Sequence, residues 1–456
     1  MTRPESGGNI DPPPRRAESL WRHGGFLRLW GGETTSQLGA QLGGLAIPVI
    51  AVVVLHASEF EVGVLGAAGT LAFLVVGLPA GALIDRMLKR RVMLRADLVR
   101  ALAMVAIPVL WLAGLLQMWQ LIVLATITGI ARVFFDVAYQ SYIPVLVKRD
   151  QIADANSKLE TTSQLAAIGG PALGGALLTI IQAPLIIAAT AVTYLVSFGM
   201  LLSIRDTEVP APKEGRRPLA VEIREGAAFV WDQPLLRRIV SYTALNNLFT
   251  GLAFTMLPVL ILRELGMPVA VLGASISVAA VGGLLGAASS NRLGAWLGEG
   301  TIIVVSAVGS GIAALVFAAM TVVPPEAAVP VFIAAEFLMS FTVVVYNVSQ
   351  VSFRQRICPT PLLGRMNASI RFVVWGVLPI GGFASGVLST AIGVIPVVWI
   401  GTIAAFLACA LVVFSPLTRM RTLPSEIVEQ AADVAAVVQQ NAEAHDREPD
   451  GDARES

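Results

Sequence analysis

The sequence predicts an all-α membrane protein of twelve transmembrane helices in two pseudo-symmetric six-helix halves, and three observations carry that prediction. The 456 residues are 55% hydrophobic and 14% charged, whereas soluble domains are about 25% charged. The apolar residues are gathered into runs of about twenty, the length a helix needs to cross the hydrocarbon core. The charges alternate from loop to loop: of 32 Lys and Arg, only Arg263 falls at a turn on the charge-poor side. Such asymmetry is the positive-inside pattern and places both termini in the cytoplasm.

Residues 1–24 form a cytoplasmic lead rich in Pro, Gly and Arg, without an apolar core of its own. It reads as a solvated segment and not as a cleaved signal peptide. The first half, 25–204, holds spans at 26–55, 60–84, 94–116, 119–146, 156–181 and 184–204. Each must be helical, because a lipid-exposed strand edge would leave backbone groups unpaired and the runs lack a barrel's alternation. A central cytoplasmic loop, 205–238, contains Pro210, Pro212 and Pro218. The stretch from Leu219 to Trp231 in that loop reads as an amphipathic helix lying on the interface. The second half, 239–416, holds spans at 239–262, 269–290, 301–323, 328–352, 367–390 and 394–416. In the cytoplasmic tail, 417–456, helix formers from Ser425 to Gln440 give way to a mixed-charge end expected to be disordered.

Basic residues cluster at Arg15, Arg16 and Arg22, at Lys89 to Arg91, at Lys148 and Arg149, at Arg216 and Arg217, and at Arg354 and Arg356. The turns around Ser58, Gln117, Gln182, Pro324 and Gly393 carry none. The halves also repeat. Setting Asn156 on Asn367 aligns Leu159 with Ile370, Gly170 with Gly381 and Gly175 with Gly386, and IDRMLKRR at Ile84 corresponds loosely to SNRLGAW at Ser290. Duplicated six-span units belong to secondary transporters that work by alternating access, with the substrate path between the halves.

Two motifs narrow this further. Gly81-Ala-Leu-Ile-Asp85-Arg86, followed by Lys89, Arg90 and Arg91, resembles the loop signature of the major facilitator superfamily. Gly170-Pro171-Ala-Leu-Gly174-Gly175 resembles the antiporter signature of its drug-efflux branch. From Phe26 to the twelfth span the chain is similar to bacterial exporters of the macrolide-efflux and enterobactin-exporter type. Two positions depart from the pattern: Leu88 stands where the loop signature has Gly, and Ala166 where the antiporter signature has Gly. The resemblance implies the major facilitator fold, a cavity lined by the first and fourth helices, and a latch in which Gly81, Asp85, Arg86 and Arg90 hold the halves together when the cytoplasmic side is shut. In purely physical terms, Gly81 permits close helix approach, Asp85 suits a helix N-terminus, and the basic residues also anchor topology against anionic lipid. Gly170, Pro171, Gly174 and Gly175 lie within an apolar helix with no preceding strand, so they read as helix packing and a kink and not as a nucleotide loop.

Ionisable residues at membrane depth are costly and mark function. Arg132 and Asp136 sit one turn apart in the middle of the fourth span, in a stripe with Thr128 and Gln140. Glu33, Gln37 and Gln41 make a second stripe along the first span. These five residues, Glu33, Gln37, Gln41, Arg132 and Asp136, are the candidate proton-coupling and cavity set; neutralisation of Arg132 by Asp136 as a purely structural pair is the alternative. Asp97 and Arg100 read as interfacial, early in the third span, and Glu160 and Arg371 as partners at the cytoplasmic gate. Phe134, Phe135, Tyr139, Phe249, Phe254 and Trp375 are candidates for an aromatic wall.

The two cysteines, Cys358 and Cys409, offer no disulfide framework, and no His or Cys spacing suggests a metal. No cofactor, no enzymatic activity and no nucleic-acid binding are expected. The expectation is a monomeric transporter in the bacterial plasma membrane whose partners are lipid, protons and a small organic substrate, such as a drug, siderophore or secondary metabolite. Export is favoured over import of a nutrient or metabolite, and a non-transporting scaffold is the remaining alternative.

Overall fold

The apolar runs fold as helices in a computed structural model that describes residues 20–84, 87–148, 151–204, 208, 228–358 and 363–422. The first half contains α1 (Gly24–Val49), α2 (Glu59–Ile84), α3 (Lys89–Leu112), α4 (Met118–Leu146), α5 (Ile152–Leu177) and α6 (Ala183–Leu202). The second contains α7 (Pro234–Phe254), α8 (Val269–Leu297), α9 (Thr301–Ala319), α10 (Pro325–Ile357), α11 (Leu363–Ile392) and α12 (Val394–Ala408). Among the described residues, nine helical segments are long and apolar enough to cross a membrane. The helices α2, α3 and α5 complete the packing of the first half.

Several helices outrun their apolar cores. Lys89, Arg90 and Arg91 are the first turn of α3 and not a loop, while α5, α10 and α11 begin or end several residues beyond the predicted spans. Hydropathy stops where charge begins, whereas backbone hydrogen bonding continues into the interface. The lead is less solvated than expected at its end: Leu20 is buried, and Trp21 packs edge-on against Trp30 with centroids 5.4 Å apart. Asp85, Arg86, the tail helix from Ser425 and all but the end of the interfacial helix lie outside the described residues; its last residues, 228–232, are helical.

Within the first half α1 packs on α5 and α6, α3 on α4 and α6, and α2 on α4. Within the second, α7 packs on α11 and α12, and α10 on α8 and α9. Between the halves α2 crosses α11 and α5 crosses α8. The two crossings are related by the repeat. The register that sets Ile50 on Leu260 and His56 on Gly266 sets Gly63 on Gly273, and Gly63 meets Gly386 where Gly273 meets Gly175. A Cβ on Gly63 would lie 2.5 Å from the Gly386 Cα, and one on Gly273 would lie 2.7 Å from the Gly175 Cα. Only hydrogen fits at these crossings. Both first helices end alike: α1 runs into a π-helical turn Ile50–Val54 and α7 reaches one at Leu260–Glu264, each followed by a residue at positive φ, His56 at 49° and Gly266 at 59°.

The core is divided unequally between the two ends of the bundle. At the charge-poor end one apolar cluster spans both halves, from Val49, Ile50 and Val62 to Leu260, Phe317 and Phe332. At the basic end each half keeps its own, around Phe26, Met93 and Tyr142 in the first and Tyr242, Phe353 and Leu417 in the second. Among the described residues the halves are therefore joined at the charge-poor end and parted at the basic end.

Candidate functional site

Where the halves part, two connected cavities meet at Asp136. The inner one, about 600 Å³, lies between the halves, with Pro48, Thr128, Arg132 and Tyr194 on one side and Thr255, Pro258 and Trp375 on the other. The second, about 760 Å³, is a polar vestibule bounded by Glu33, Gln37, Tyr139, Gln140, Asn156 and Glu160. Three carboxylates and several amides line it, and none of its lining residues is a Lys or Arg.

The two predicted stripes meet here because α1 and α4 each turn one polar face inward. Gln37 donates from Nε2 to Glu33 Oε1 at 2.6 Å. Glu33 is buried, and its Oε2 has no partner among the described residues. Arg132 Nε stands 3.7 Å from Asp136 Oδ2, an ion pair beyond direct hydrogen-bond reach, with both side chains about half exposed to the cavity. Such a loose, cavity-exposed pair can exchange partners at lower cost than an enclosed one. Gln41 packs instead on the glycine helix: a Cβ on Gly170 would come within 2.5 Å of the Gln41 Cβ. Gly174 faces Leu42 and Leu45, and Pro171 lies inside α5 with its carbonyl against Gly273.

The expectation for Asp97 and Arg100 is corrected. They are not interfacial but fully buried, and they form an ion pair one turn apart on α3. Ser197 on α6 donates to Asp97 Oδ2 at 2.7 Å, and the Arg100 guanidinium lies between the rings of Phe135 and Tyr194, 4.2 and 4.5 Å from their centroids. Glu33 and Asp136 are within Coulombic reach of Arg100. The i, i+3 spacing of Asp97 and Arg100 within one predicted helix is the signal that could have located this pair. The aromatic wall is also reduced. Tyr139 and Trp375 line the cavities, Phe135 is buried beneath Arg100, and Phe254 stacks on Phe317 in the core with centroids 4.4 Å apart.

At the basic end Arg90 caps α6, donating to the carbonyls of Leu201 at 3.0 Å and Leu202 at 2.8 Å. Glu208 accepts from the Lys89 backbone N–H at 3.0 Å and from Lys89 Nζ at 3.0 Å, which offsets a basic first turn at the positive end of α3. Glu160 accepts from Gln164 at 2.7 Å on the vestibule wall, while Arg371 is exposed on α11. In the second half Glu336 is buried on α10, and its Oε1 has no partner among the described residues.

Residues 18–443 match the family described as transmembrane secretion effector. The chain is 28% identical over 372 residues to a multidrug efflux pump, Tap, of Mycolicibacterium fortuitum, covering 77% of this chain and 88% of that one. It is 24% identical over 382 residues to macrolide efflux protein A of Streptococcus pyogenes, covering 81% and 90%. Its fold is shared by a bacterial homologue of the iron transporter ferroportin in an inward-facing state, with a TM-score of 0.68 at 18% identity over 87% of this chain and 99% of that one. With two six-helix halves around a polar cavity and a family match over nearly its whole length, the chain belongs to the transmembrane secretion effector family of the major facilitator superfamily, a multi-pass membrane transporter and not an enzyme.

Proposed function

We propose that this transporter exports a small organic compound across the bacterial plasma membrane in exchange for protons, with both termini in the cytoplasm. The single observation that carries the reading is the carboxylate-bearing cavity between the halves, parted at the basic end and sealed at the other. With the basic end inside, the cavity faces the cytoplasm, where an exporter takes up its substrate. The efflux pumps it resembles support that direction. An acid-lined vestibule leading to an apolar chamber with an exposed Trp375 suits a bulky apolar molecule carrying positive charge.

In this reading Glu33 and Asp136 carry the protons, Arg132 responds to them, and Gln37 and Gln41 shape the cavity wall. Protonating a carboxylate changes its pairing and so shifts the balance between inward-open and outward-open states. Gly81, Asp85, Arg86 and Arg90 act as the latch that shuts the cytoplasmic side. Uptake into everted vesicles under an imposed pH gradient tests the proposal: accumulation supports export, depletion indicates import, and no effect indicates a scaffold. An Arg132→Gln, Asp136→Asn protein that folds and retains pH-driven efflux would remove the coupling role of that pair.

Threading is tested separately. Single cysteines at Ser58, Gln117 and Pro324 should react with an impermeant maleimide from outside intact cells, and those at Lys89 and Arg216 should not. The native Cys358 adds little background, because burial pushes its thiol up to about 11 and leaves scarce thiolate at neutral pH.

A further inference from the structure

Arg263 is the one cation on the charge-poor side, where positive-inside threading disfavours it. It stands in the π-helical turn at the end of α7 and reaches across to the other half. Its Nη1 donates to Glu59 Oε1 on the first turn of α2 at 3.1 Å, and its Nη2 donates to the backbone carbonyl of Ala57 at 2.7 Å. Ala57 is itself buried, in the turn that His56 forms at positive φ. Two hydrogen bonds from one guanidinium thus span the seam between the halves beside the Gly63 and Gly386 crossing.

The repeat provides an internal control. The register that sets Gly63 on Gly273 sets Arg263 on Val53 and Glu59 on Val269, and Val53 and Val269 line one cleft at the other crossing. One seam therefore has a breakable polar tie where its counterpart is apolar. The counterpart crossing keeps its glycine contact without an ion pair, so the pair is an addition to the shared framework.

We propose that Arg263, with Glu59 and the Ala57 carbonyl, is a gate residue of the transport cycle: it holds the charge-poor end shut while the basic end is open, and its release from α2 accompanies opening of the charge-poor end. The proposal rests on the alternating-access reading above. It does not depend on the direction of transport.

The test uses the full-length protein in lipid nanodiscs with spin labels at Leu115→Cys and Val322→Cys, both exposed on charge-poor turns of opposite halves, the native cysteines being buried. Arg263→Gln should raise the ratio of the long-distance to the short-distance population about tenfold, as expected for losing a charge-assisted tie. Glu59→Gln should raise it less, about threefold, because the bond to Ala57 remains. The double variant should match Arg263→Gln alone, since both act through one contact. An unchanged ratio in Arg263→Gln, or singles that add in the double, overturns the gate. Lowering the pH provides the separate control: if it shifts the wild-type distances while Arg263→Gln does not, the gate alone fails. If no variant and no pH moves any distance, alternating access fails with it. Should Arg263→Gln fold poorly, Glu59→Gln at its partly exposed position decides the question by the same ratio.

Discussion

The two halves share a glycine framework and differ in charge. Gly170 and Gly381 seat α5 on α1 and α11 on α7, and Gly175 and Gly386 carry the two crossings between halves. Yet the first half buries or half-buries Glu33, Asp97, Arg100, Arg132 and Asp136 at membrane depth, whereas the second offers Glu336 and a neutral set in which Tyr346 bonds Thr243 at 2.7 Å and Asn247 donates to the Val374 carbonyl at 2.9 Å. The packing geometry is common to both halves, and most of the buried or half-buried charge lies in the first. The halves thus share a packing framework, and the membrane-depth charges on which the proposed coupling rests lie mainly in the first.

The strongest way to break that comparison is to remove charge from the first half. Arg100→Met leaves Asp97 buried without its cation and should cost about 3–5 kcal/mol. Asp97→Leu combined with Arg100→Met should recover most of that stability, because a well-packed apolar pair often replaces a buried ion pair without loss. Thermal unfolding in detergent measures both. If the double variant is stable but no longer exports against a pH gradient, Arg100 contributes to coupling through the potential it places on Glu33 and Asp136. Full export by the stable double variant would confine the pair to a packing role.

The glycine framework predicts the opposite, equality between halves. Gly63→Ala would drive a methyl to 2.5 Å from the Gly386 Cα, and Gly273→Ala would drive one to 2.5 Å from the Pro171 carbonyl oxygen. Overpacking of this kind costs about 1–3 kcal/mol. Because the clash exists only while the crossing is closed, both variants should raise the long-distance population of the Leu115 and Val322 label pair by similar factors. A large effect from one and none from the other would show that the crossings are not equivalent.

Much of this was legible in the sequence, for identifiable reasons. Apolar runs gave the spans, and the spacing of Gly170, Gly175, Gly381 and Gly386 gave the repeat that places both crossings. Arg132 and Asp136 stood out because nothing else near them is charged. Asp97 and Arg100 were misjudged because a basic cluster from Lys89 to Arg95 precedes them, so hydropathy placed them at the interface when α3 in fact carries them inward. Arg263 was visible as an exception to the charge rule, but its partners lie on another half and a period of hydropathy carries no information about contacts across a seam. The role of Arg90 was likewise tertiary, since the carbonyls it caps belong to the end of α6.

The smallest predicted effects compare the staples at the basic end. Against the first half the carboxylate of Glu208, from the central loop, is almost wholly enclosed, and it accepts from the backbone at the start of α3 as well as from Lys89 Nζ. In the second half Arg356 pairs with Glu299 in the turn before α9, with both side chains substantially exposed. Glu208→Gln keeps a weaker acceptor at the helix N-terminus but loses the charge, and should cost about 1 kcal/mol, in the range of a lost helix cap. Arg356→Gln removes a solvated pair worth about 0–1 kcal/mol. Salt separates the two, since exposed pairs are screened within about 10 Å at 0.1 M and enclosed ones much less. Raising NaCl should therefore erase the difference between Arg356→Gln and the wild type in a thermal melt, while the deficit of Glu208→Gln persists. A salt-insensitive Arg356→Gln deficit equal to that of Glu208→Gln would make the staples equivalent and extend the symmetry of the glycine framework to the charged edge of the bundle.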